Sequence, residues 1–495
     1  MSTKQCFKQE ESLLSLDEVL LAAKGVLLNK EVPETFCFTS VVTDSRQVSA
    51  GGLFVPLLGE KQDGHTYIPQ ALEKGATVVF VVKDKAKETD YVSLFVKRYP
   101  TVFFVAVENT LYALQHIACM YVKKFPKLIK IGITGSSGKT TTKEILAHLL
   151  SEKYSVIMNQ GNLNSETGLP LSVFAIREYH EVGIFEMGMN RRGEISELAS
   201  VLLPDVGVIT NIGTAHIGIL GSKDTIAEEK KEIFSNFCEK NVAFIPEQDA
   251  YRNFLAQELK GTVIFYGESM VQHVRSLGLK GTAFSYEGIP MVLPLPGKGN
   301  FYDCLAGIAV AKSFGLTASE IKTGLSKVTP LFGRSQVIEG AVTIIQDCYN
   351  ANPDSMDQAV TFFQELEDVS GRKIAILGDM LELGSESLEA HKKIVGQVTH
   401  SSVEYVLLVG NCMWEACNGL HIATCGASEN GVDIFEKKGP KVFCFADGSQ
   451  DQIDKATQLL RKILKKGDVV LLKASRSMAL ERLTTAMQGG KIWAE

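Results

Sequence analysis

The sequence predicts an α/β protein of three domains, on three observations. Its 495 residues correspond to about three domains of roughly 150 residues each. Residues 128–151 read as a β-branched run, a glycine-rich turn and a helical pattern, the order that opens an α/β unit. From Ala341 onward, short apolar runs alternate regularly with helical patterns, which predicts a parallel sheet covered by helices.

Composition narrows the class of protein. Hydrophobic residues make up 45% and charged residues 22% of the chain, as in ordinary globular proteins. A net charge of −6 argues against a surface that is basic throughout, so we expect no nucleic-acid partner. The apolar stretch 206–222 contains four glycines and a histidine, which is unlike a membrane span, and we expect no membrane insertion.

The pattern of cysteines and the composition of residues 1–12 indicate the cellular compartment of the protein. The ten cysteines are scattered, without the spacing of a zinc site or of a disulfide framework. Residues 1–12 are polar and of mixed charge, unlike a signal peptide. These features predict a cytoplasmic protein with reduced thiols, and we expect it to be a monomer.

The first domain, at residues 1–108, is predicted to be a small α/β unit. Ser15 and Glu18 have the spacing of a capping box, and the helix that they begin is expected to stop at Gly25. Apolar runs at 53–58, 77–82 and 102–107 alternate with turn residues and predict strands.

The other two domains are assigned to residues 109–335 and 336–495. In the second, we predict a helix over 110–124, strands over 128–133, 182–187 and 206–212, and a helix that ends near Ser151. In the third, strands are predicted at 343–349, 373–377, 405–409, 442–445 and 469–473, with helices at 354–366, around His391 and at 453–465.

The glycine-rich turn after the strand at 128–133 has the composition of a phosphate loop. It offers bare backbone N–H groups, a helix N-terminus, a cation and a hydroxyl for Mg²⁺. The residues concerned are Gly135, Ser136, Ser137, Gly138, Lys139, Thr140 and Thr141. The standard spacing requires glycine where this chain has Ile133. A tight turn with a surface lysine is the alternative, and the strand-turn-helix context favours a phosphate loop.

A carboxylate and a histidine follow the next two predicted strands. Glu186 ends one strand, and His216 comes shortly after the other. Each residue taken alone is more often a solvated strand end or an ordinary loop histidine. Because the carboxyl ends of parallel strands meet at one edge of a sheet, both should lie beside the phosphate loop. Together they predict a metal site.

Four features together resemble those of the Mur ligases, which are ATP-dependent amide-forming enzymes of peptidoglycan synthesis. They are the unusual loop spacing, Glu186, His216 and the segment 227–234. Three later blocks extend the resemblance, at 347–356, 377–384 with His391, and 473–478. Residues 44–46, 52–54 and 63–65 agree in the first domain. The blocks are most similar to those of the members that join UDP-N-acetylmuramoyl-tripeptide to D-alanyl-D-alanine.

The resemblance implies a three-domain Mur ligase architecture. Its parts are a UDP-sugar domain, a central P-loop-type ATPase domain and a Rossmann-like C-terminal domain that closes on the nucleotide. It implies that ATP phosphorylates the carboxylate of the tripeptide, and that the amine of the dipeptide attacks this acyl phosphate.

Several residue roles come from the resemblance alone. Lys139 would neutralise phosphate charge, Thr140 and Glu186 would hold Mg²⁺, and His216 would help to hold a second ion. Lys230 would be carbamylated, since a bare ammonium cannot bind a metal, although the adjacent Lys231 leaves the register open. Nucleotide contacts are implied for Asn300, Asp303, Arg334, Asp347, Asn350 and Asn352, and substrate contacts for Ser45, Arg46, Asn162, Asn164, Ser165, Lys473, Ser475 and Arg476.

The chain departs from the family pattern at Gly299, Asp303 and Gln346. An ionised aspartate accepts hydrogen bonds but donates none, so Asp303 predicts a modified nucleotide pocket. Two alternatives within the superfamily are a ligase that adds a single amino acid and a folylpolyglutamate-synthase-like ligase, and the blocks at 349–353 and 378–384 argue against both. A non-catalytic nucleotide-binding scaffold is a third.

Overall fold

The computed structural model describes residues 12–29, 36–59, 62–87, 91–367, 369–424 and 439–488. These residues form four sheets with helices packed on them, which confirms the α/β class. No helix in the described ranges has both the length and the apolar character that a bilayer crossing requires.

The first sheet has the strand order β1-β5-β4-β3-β2, in which β1 alone runs antiparallel to its neighbour. The Ser15 capping box forms as predicted and begins the first helix. The elements are β1 (Val26–Leu27), β2 (Ser40–Val42), β3 (Gly52–Phe54), β4 (Ala76–Val82), β5 (Phe103–Val107), α1 (Leu16–Ala23), α2 (Ile68–Glu73), α3 (Lys83–Lys87) and α4 (Tyr91–Arg98).

The second sheet is parallel throughout, in the order β11-β10-β9-β6-β8-β7. Its strands are β6 (Ile129–Thr134), β7 (Val156–Met158), β8 (Val182–Glu186), β9 (Val206–Ile209), β10 (Val242–Pro246) and β11 (Thr262–Tyr266). Its helices are α5 (Thr110–Val122), α6 (Lys139–Leu150), α7 (Gly168–Val173), α8 (Glu194–Leu202), α9 (Ile217–Leu220), α10 (Lys223–Lys231) and α11 (Arg252–Ala256). The direction of strand addition reverses around β6, and such a point opens a ligand crevice at the carboxyl ends of the strands.

A small antiparallel sheet follows, which the sequence analysis did not predict. It consists of β12 (Gln272–Ser276), β13 (Thr282–Tyr286) and β14 (Ile289–Leu293), followed by α12 (Lys298–Ser313) and α13 (Ala318–Ser326). All five side chains of β12 are exposed, so this strand carries no apolar pattern that could announce it. Both helices pack on α6.

The last sheet has the order β15-β16-β20-β17-β18-β19. Five of its strands are parallel as predicted, but β15 pairs antiparallel with β16 at the edge. Its strands are β15 (Gln336–Ile338), β16 (Thr343–Asp347), β17 (Lys373–Gly378), β18 (Tyr405–Val409), β19 (Lys441–Phe445) and β20 (Val469–Lys473). Its helices are α14 (Pro353–Glu365), α15 (Ser387–Thr399), α16 (Asn411–Gly419), α17 (Gln450–Ile463) and α18 (Glu481–Gln488).

The apolar cores join the first two sheets but leave the last sheet separate. One continuous cluster extends from Leu13 to Leu255 and joins the first sheet to one face of the second. The last sheet has two clusters of its own, one on each face. From the preceding sheets, only Ile217 and Leu279 among the described residues pack against one of these two clusters. The first two sheets therefore form one body, and the last sheet forms another.

Candidate active site

A cavity of about 950 Å³ lies between these two bodies, at the carboxyl ends of β6, β8 and β9. Most of the predicted site residues line it. They are Ser136, Ser137, Gly138, Lys139, Thr140, Thr141, Asn162, Asn164, Ser165, Glu186, His216, Asn300, Asp303, Arg334, Asp347, Asn350, Asn352, Lys473 and Arg476. Residues distant in the sequence thus meet around one space, as predicted for the crevice edge of such a sheet.

The turn between β6 and α6 has the geometry of an anion-binding loop. Gly138 has φ 77°, and a Cβ atom at this position would lie 2.0 Å from Oδ1 of Asp303, so glycine is required. No side chain caps α6, which leaves amide groups of its first turn free for a ligand. Lys139 Nζ donates to the Gly135 carbonyl at 2.9 Å, and burial lowers the pKa of Lys139. A bound phosphate would be a negatively charged partner for this amine, which here donates to a neutral carbonyl.

Asn211, which the sequence analysis did not single out, fixes the loop from the neighbouring strand. Its Oδ1 accepts the backbone N–H groups of Ser136 at 3.1 Å and of Ser137 at 3.0 Å. Its Nδ2 donates to the Ser137 hydroxyl at 2.6 Å. The loop is therefore held in place by side-chain contacts from the segment that follows β9.

Glu186 is the centre of a polar network beside the loop. Thr140 Oγ1 donates to Glu186 Oε2 at 2.6 Å, and Asn164 Nδ2 donates to Glu186 Oε1 at 2.6 Å. Arg334 Nη2 donates to Thr140 Oγ1 at 2.8 Å. A carboxylate and a hydroxyl next to a phosphate loop are the oxygen donors that Mg²⁺ prefers, so Thr140 and Glu186 would hold a magnesium ion here.

A buried layer behind Glu186 was also missed from sequence. Asn159 receives the backbone N–H of Glu186 at 3.0 Å and donates to its carbonyl at 3.1 Å. The fully buried Lys143 in turn donates to the Asn159 carbonyl at 2.7 Å. These contacts fix the backbone of Glu186 on both sides, which orients its carboxylate.

Of His216 and Lys230, only His216 lines the cavity. His216 Nδ1 is 2.7 Å from Glu382 Oε2, an ion-pair distance, although the angle is not that of a hydrogen bond. The Lys230 side chain is buried, and burial together with the nearby Lys139 charge holds its pKa well below the usual value. Lys231, by contrast, donates outward to the carbonyls of Phe254 and Gln257. The two lysines thus have different environments, and only Lys230 faces inward.

The last sheet contributes the opposite wall. Asp347 and Lys473 are paired in the register of β16 and β20, and Lys473 Nζ donates to Asp347 Oδ2 at 2.6 Å. Asn352 Nδ2 donates to the Ser136 carbonyl at 3.4 Å. Asp354 accepts the backbone N–H and the hydroxyl of Thr214, both at 2.6 Å. The last sheet is therefore closed against the phosphate loop.

Five predicted residues lie outside the lining. Gly135 and Lys230 are buried and do not line the cavity. Ser45 donates to Gln70 at 2.5 Å and Arg46 pairs with Asp44, both in the first sheet region. The Ser475 hydroxyl accepts from the Leu381 N–H at 2.9 Å and donates to the Ala351 carbonyl at 3.4 Å. The substrate roles of Ser45, Arg46 and Ser475 stay predictions.

Asp303 lies against the loop, and its burial is the largest influence on its charge. The residue is 7% exposed, and burial raises the pKa of its carboxyl group to about 8, against the opposing effect of Arg334 and Lys139. Burial thus favours the neutral form of the carboxyl group, which can donate a hydrogen bond where an ionised carboxylate cannot. Gln346, another departure, is buried and donates to Gln336 at 3.3 Å.

A second cluster, formed by Asp379, His391 and Cys412, has potential ligand atoms within 4.8 Å of one another. His391 Nε2 accepts the Met380 N–H, and Nδ1 donates to the Ser387 carbonyl. Asp379 accepts backbone N–H groups at the start of α16. Because both ring nitrogens are already occupied, we interpret this cluster as structural.

Comparison with known proteins agrees with this geometry over nearly the whole chain. Residues 38–121 match the Mur ligase family catalytic domain, residues 133–311 the Mur ligase middle domain, and residues 333–476 the Mur ligase glutamate ligase domain. The UDP-N-acetylmuramoyl-tripeptide--D-alanyl-D-alanine ligase of Treponema pallidum is 44% identical over 474 residues, which cover 95% of this chain and 98% of that protein.

Solved structures give the same result. MurF from Acinetobacter baumannii aligns with a TM-score of 0.82 at 27% identity, over 95% of this chain and 97% of that one. MurF ligase from Thermotoga maritima in complex with ADP aligns with a TM-score of 0.72 at 27% identity, over 90% and 96% of the two chains. These neighbours confirm the predicted three-domain architecture. The chain therefore belongs to the Mur ligase family.

Proposed function

We propose that this protein is an ATP-dependent ligase that adds D-alanyl-D-alanine to UDP-N-acetylmuramoyl-tripeptide in peptidoglycan precursor synthesis. The reaction forms a C–N bond and releases ADP and phosphate. The observation that carries the proposal is that the phosphate loop, Glu186 and His216 line one cavity that the last sheet closes, with the buried Lys230 near enough to Lys139 to feel its charge. The match to the Treponema pallidum ligase over 98% of its length supports this substrate pair.

The chemical difficulty is the approach of two anions. The tripeptide carboxylate attacks the γ-phosphate of ATP, so the barrier is largely electrostatic. Lys139, the start of α6 and Arg334 place positive charge where it is needed. Thr140 and Glu186 would hold one Mg²⁺, and His216 with a modified Lys230 would hold a second. When bound, the two ions neutralise phosphate charge.

The environment of Lys230 supports its carbamylation. Burial lowers the pKa of its amine, and the neutral amine is the form that attacks carbon dioxide. The attack forms a nitrogen–carbon bond and releases one proton, which leaves an anionic carbamate. A cation unfavourable in this buried position would thereby become an oxygen ligand.

Closure of the last sheet explains the remaining residues. We propose three functional units at residues 1–108, 109–335 and 336–495. The third brings Asp347, Asn350 and Asn352 toward the nucleotide and Lys473, Ser475 and Arg476 toward peptide carboxylates. Closure also excludes water from an acyl phosphate that water would hydrolyse.

The other substrate contacts belong to the first two units. Ser45 and Arg46 would bind the uridine diphosphate end, and Asn162, Asn164 and Ser165, which line the cavity, would also contact the substrate. Asn300 and a neutral Asp303 would contact the nucleotide. We propose that the protein acts as a monomer in the cytoplasm, where its nucleotide substrates are found.

The proposal is tested by ADP release from the purified protein with ATP and Mg²⁺. UDP-linked tripeptides with lysine or with diaminopimelate in third position are offered, each with and without D-alanyl-D-alanine. We expect release that depends on the dipeptide. Release that depends instead on a single amino acid, with a UDP-linked dipeptide or a folate as acceptor, would favour the alternative ligases. ATP binding without turnover with any acceptor would favour a scaffold.

A further inference from the structure

Glu382 contacts the central unit twice. It lies between β17 and the short helical turn Gly384–Glu386 in the third unit. Its Oε2 is 2.7 Å from His216 Nδ1, and its carbonyl accepts the Gly218 N–H at 3.1 Å. One residue of the closing unit thus holds both the side chain of His216 and the backbone two residues later.

The backbones of Gly218 and Gly384 are so close that neither position has room for a side chain. A Cβ atom on Gly218 would lie 2.3 Å from the Gly384 nitrogen, and one on Gly384 would lie 2.9 Å from Gly218 Cα. His216 and Glu382 have φ values of 64° and 63°, which non-glycine residues rarely adopt. Left-handed strain of this kind persists where the surroundings impose it and is concentrated at functional sites.

The segment that carries Glu382 is itself fixed. The Met380 N–H donates to His391 Nε2 at 2.9 Å, and the Leu381 N–H donates to the Ser475 hydroxyl at 2.9 Å. Both acceptors belong to the third unit, so this unit delivers Glu382 in a set position. The Ser475 and His391 side chains thereby gain a role that depends on neither substrate nor metal contact.

A carboxylate beside His216 would help its imidazole ring to bind a metal. An imidazole binds a metal through one nitrogen, and a carboxylate that faces the other nitrogen fixes the tautomer and the orientation of the ring. Glu382 Oε2 lies at ion-pair distance, 2.7 Å, from Nδ1 without hydrogen-bond geometry, so it acts on the ring through its charge, and it leaves Nε2 as the nitrogen that would bind a metal.

We infer that Glu382 is a positioning residue for His216, so that the second divalent-cation site is complete only when the third unit is closed. The inference rests on the proposed function, because it requires His216 to be a metal ligand. It adds a link between domain closure and metal binding that runs through a side chain of the closing unit.

The test is Mn²⁺ binding to the full chain with a non-hydrolysable ATP analogue, where free Mn²⁺ is counted by electron paramagnetic resonance. We expect two bound ions in the wild type. Glu382→Gln keeps the backbone contact and removes the charge, and it should weaken the second ion about 10- to 100-fold, the usual cost of losing such a partner. The affinity for the first ion should not change. Glu386→Gln, in an exposed position of the same turn, is the matched control and should behave as the wild type.

A purely structural role is distinguished by Glu382→Gly. This change relieves the left-handed strain, so the melting temperature should not fall, yet the second ion should weaken as in Glu382→Gln. Two ions bound with wild-type affinity in both variants, or an equal loss in Glu386→Gln, would overturn the inference alone. A wild type that binds no second ion would overturn the inference together with the metal part of the proposed function.

Discussion

The two junctions between the units of this chain are built differently. Between the first and central units, α5 packs against α1 on one side and against α7 and α8 on the other, inside a single apolar cluster. Between the central and third units, the contacts are mostly polar, as at Thr214 with Asp354 and at Ser136 with Asn352. Burial of apolar surface dominates stability, whereas hydrogen bonds exchange readily with water and contribute little net free energy each.

The difference indicates which junction moves. The first holds the first and central units as one platform, on which the proposed metal-binding residues lie at or shortly after strand ends. The second can open without loss of an apolar core, because the third unit has cores of its own. Four predictions probe this contrast, from the largest expected effect to the smallest.

The first concerns the platform alone. Lys230→Ala should lower turnover by about 10³-fold or more, while ATP still binds. The proposed second Mg²⁺ would lose a ligand, and the negative charge of the transition state would then be less well stabilised. Bicarbonate with formate, or another small carboxylate, should restore part of the activity. Lys231→Ala is the matched control, because Lys231 is bonded outward to Phe254 and Gln257, and it should keep most of the activity. A fully active Lys230→Ala enzyme would remove the carbamate from the mechanism.

The second weakens the apolar junction. Leu114 on α5 is fully buried, and Leu114→Ala should lower the free energy of unfolding by about 2–5 kcal/mol. Thermal and urea denaturation measure the loss. The closed fraction with bound ATP analogue should stay the same, and a large change in closure without a change in stability would reverse our assignment of the two junctions.

The third weakens the polar junction. Asp354→Ala removes two hydrogen bonds to Thr214 and should cost the closed state about 1–3 kcal/mol. Fluorescence energy transfer between labels on the central and third units should report a smaller closed fraction, with a lower turnover number. The melting transition of the platform should be unaffected. A stability loss as large as that of Leu114→Ala would contradict our conclusion that this junction can open without loss of an apolar core.

The fourth concerns the buried carboxyl group of Asp303. Its folded-state pKa of about 8 is above the ordinary value, so the folded protein binds a proton that the unfolded chain releases above about pH 4. Stability from this group is therefore present at low pH and is lost as the pH rises toward 8. Asp303→Asn lacks this loss, so its melting temperature relative to the wild type should increase from about pH 5 to pH 8. A constant difference would place an ionised aspartate at the loop.

Sequence patterns predicted the parts of the fold whose signal is local. Buried parallel strands are continuous apolar runs, and β18 and β20 have the predicted bounds. In the small sheet, β12 gives no apolar signal because it is wholly exposed, whereas β13 and β14 alternate buried and more exposed residues and were overlooked. The edge strand β15 was missed because its three half-buried residues carry no strong pattern.

The same distinction holds for the site. Gly138, Lys139 and Thr140 are recognisable because one loop provides the whole function, and the comparisons confirm the family to which that loop belongs. Asn211 contacts partners 74 and 75 residues away in the sequence, and Asp354 contacts a partner 140 residues away. Glu382 contacts His216, which is still more distant in the sequence. Nothing in the local sequence of these three residues specifies their partners. Ser475 shows the converse, since a residue in a recognised block has its hydroxyl bonded within its own unit.

The most direct test of the account is the fate of the tripeptide carboxylate oxygen. The UDP-linked tripeptide is labelled with ¹⁸O in its terminal carboxylate and incubated with ATP, Mg²⁺, D-alanyl-D-alanine and the purified protein. Because the carboxylate attacks the γ-phosphate and the dipeptide amine then displaces phosphate, one labelled oxygen should leave in the released phosphate. Mass spectrometry of that phosphate should show one ¹⁸O for each amide bond formed. Unlabelled phosphate accompanied by amide formation would contradict the acyl-phosphate route.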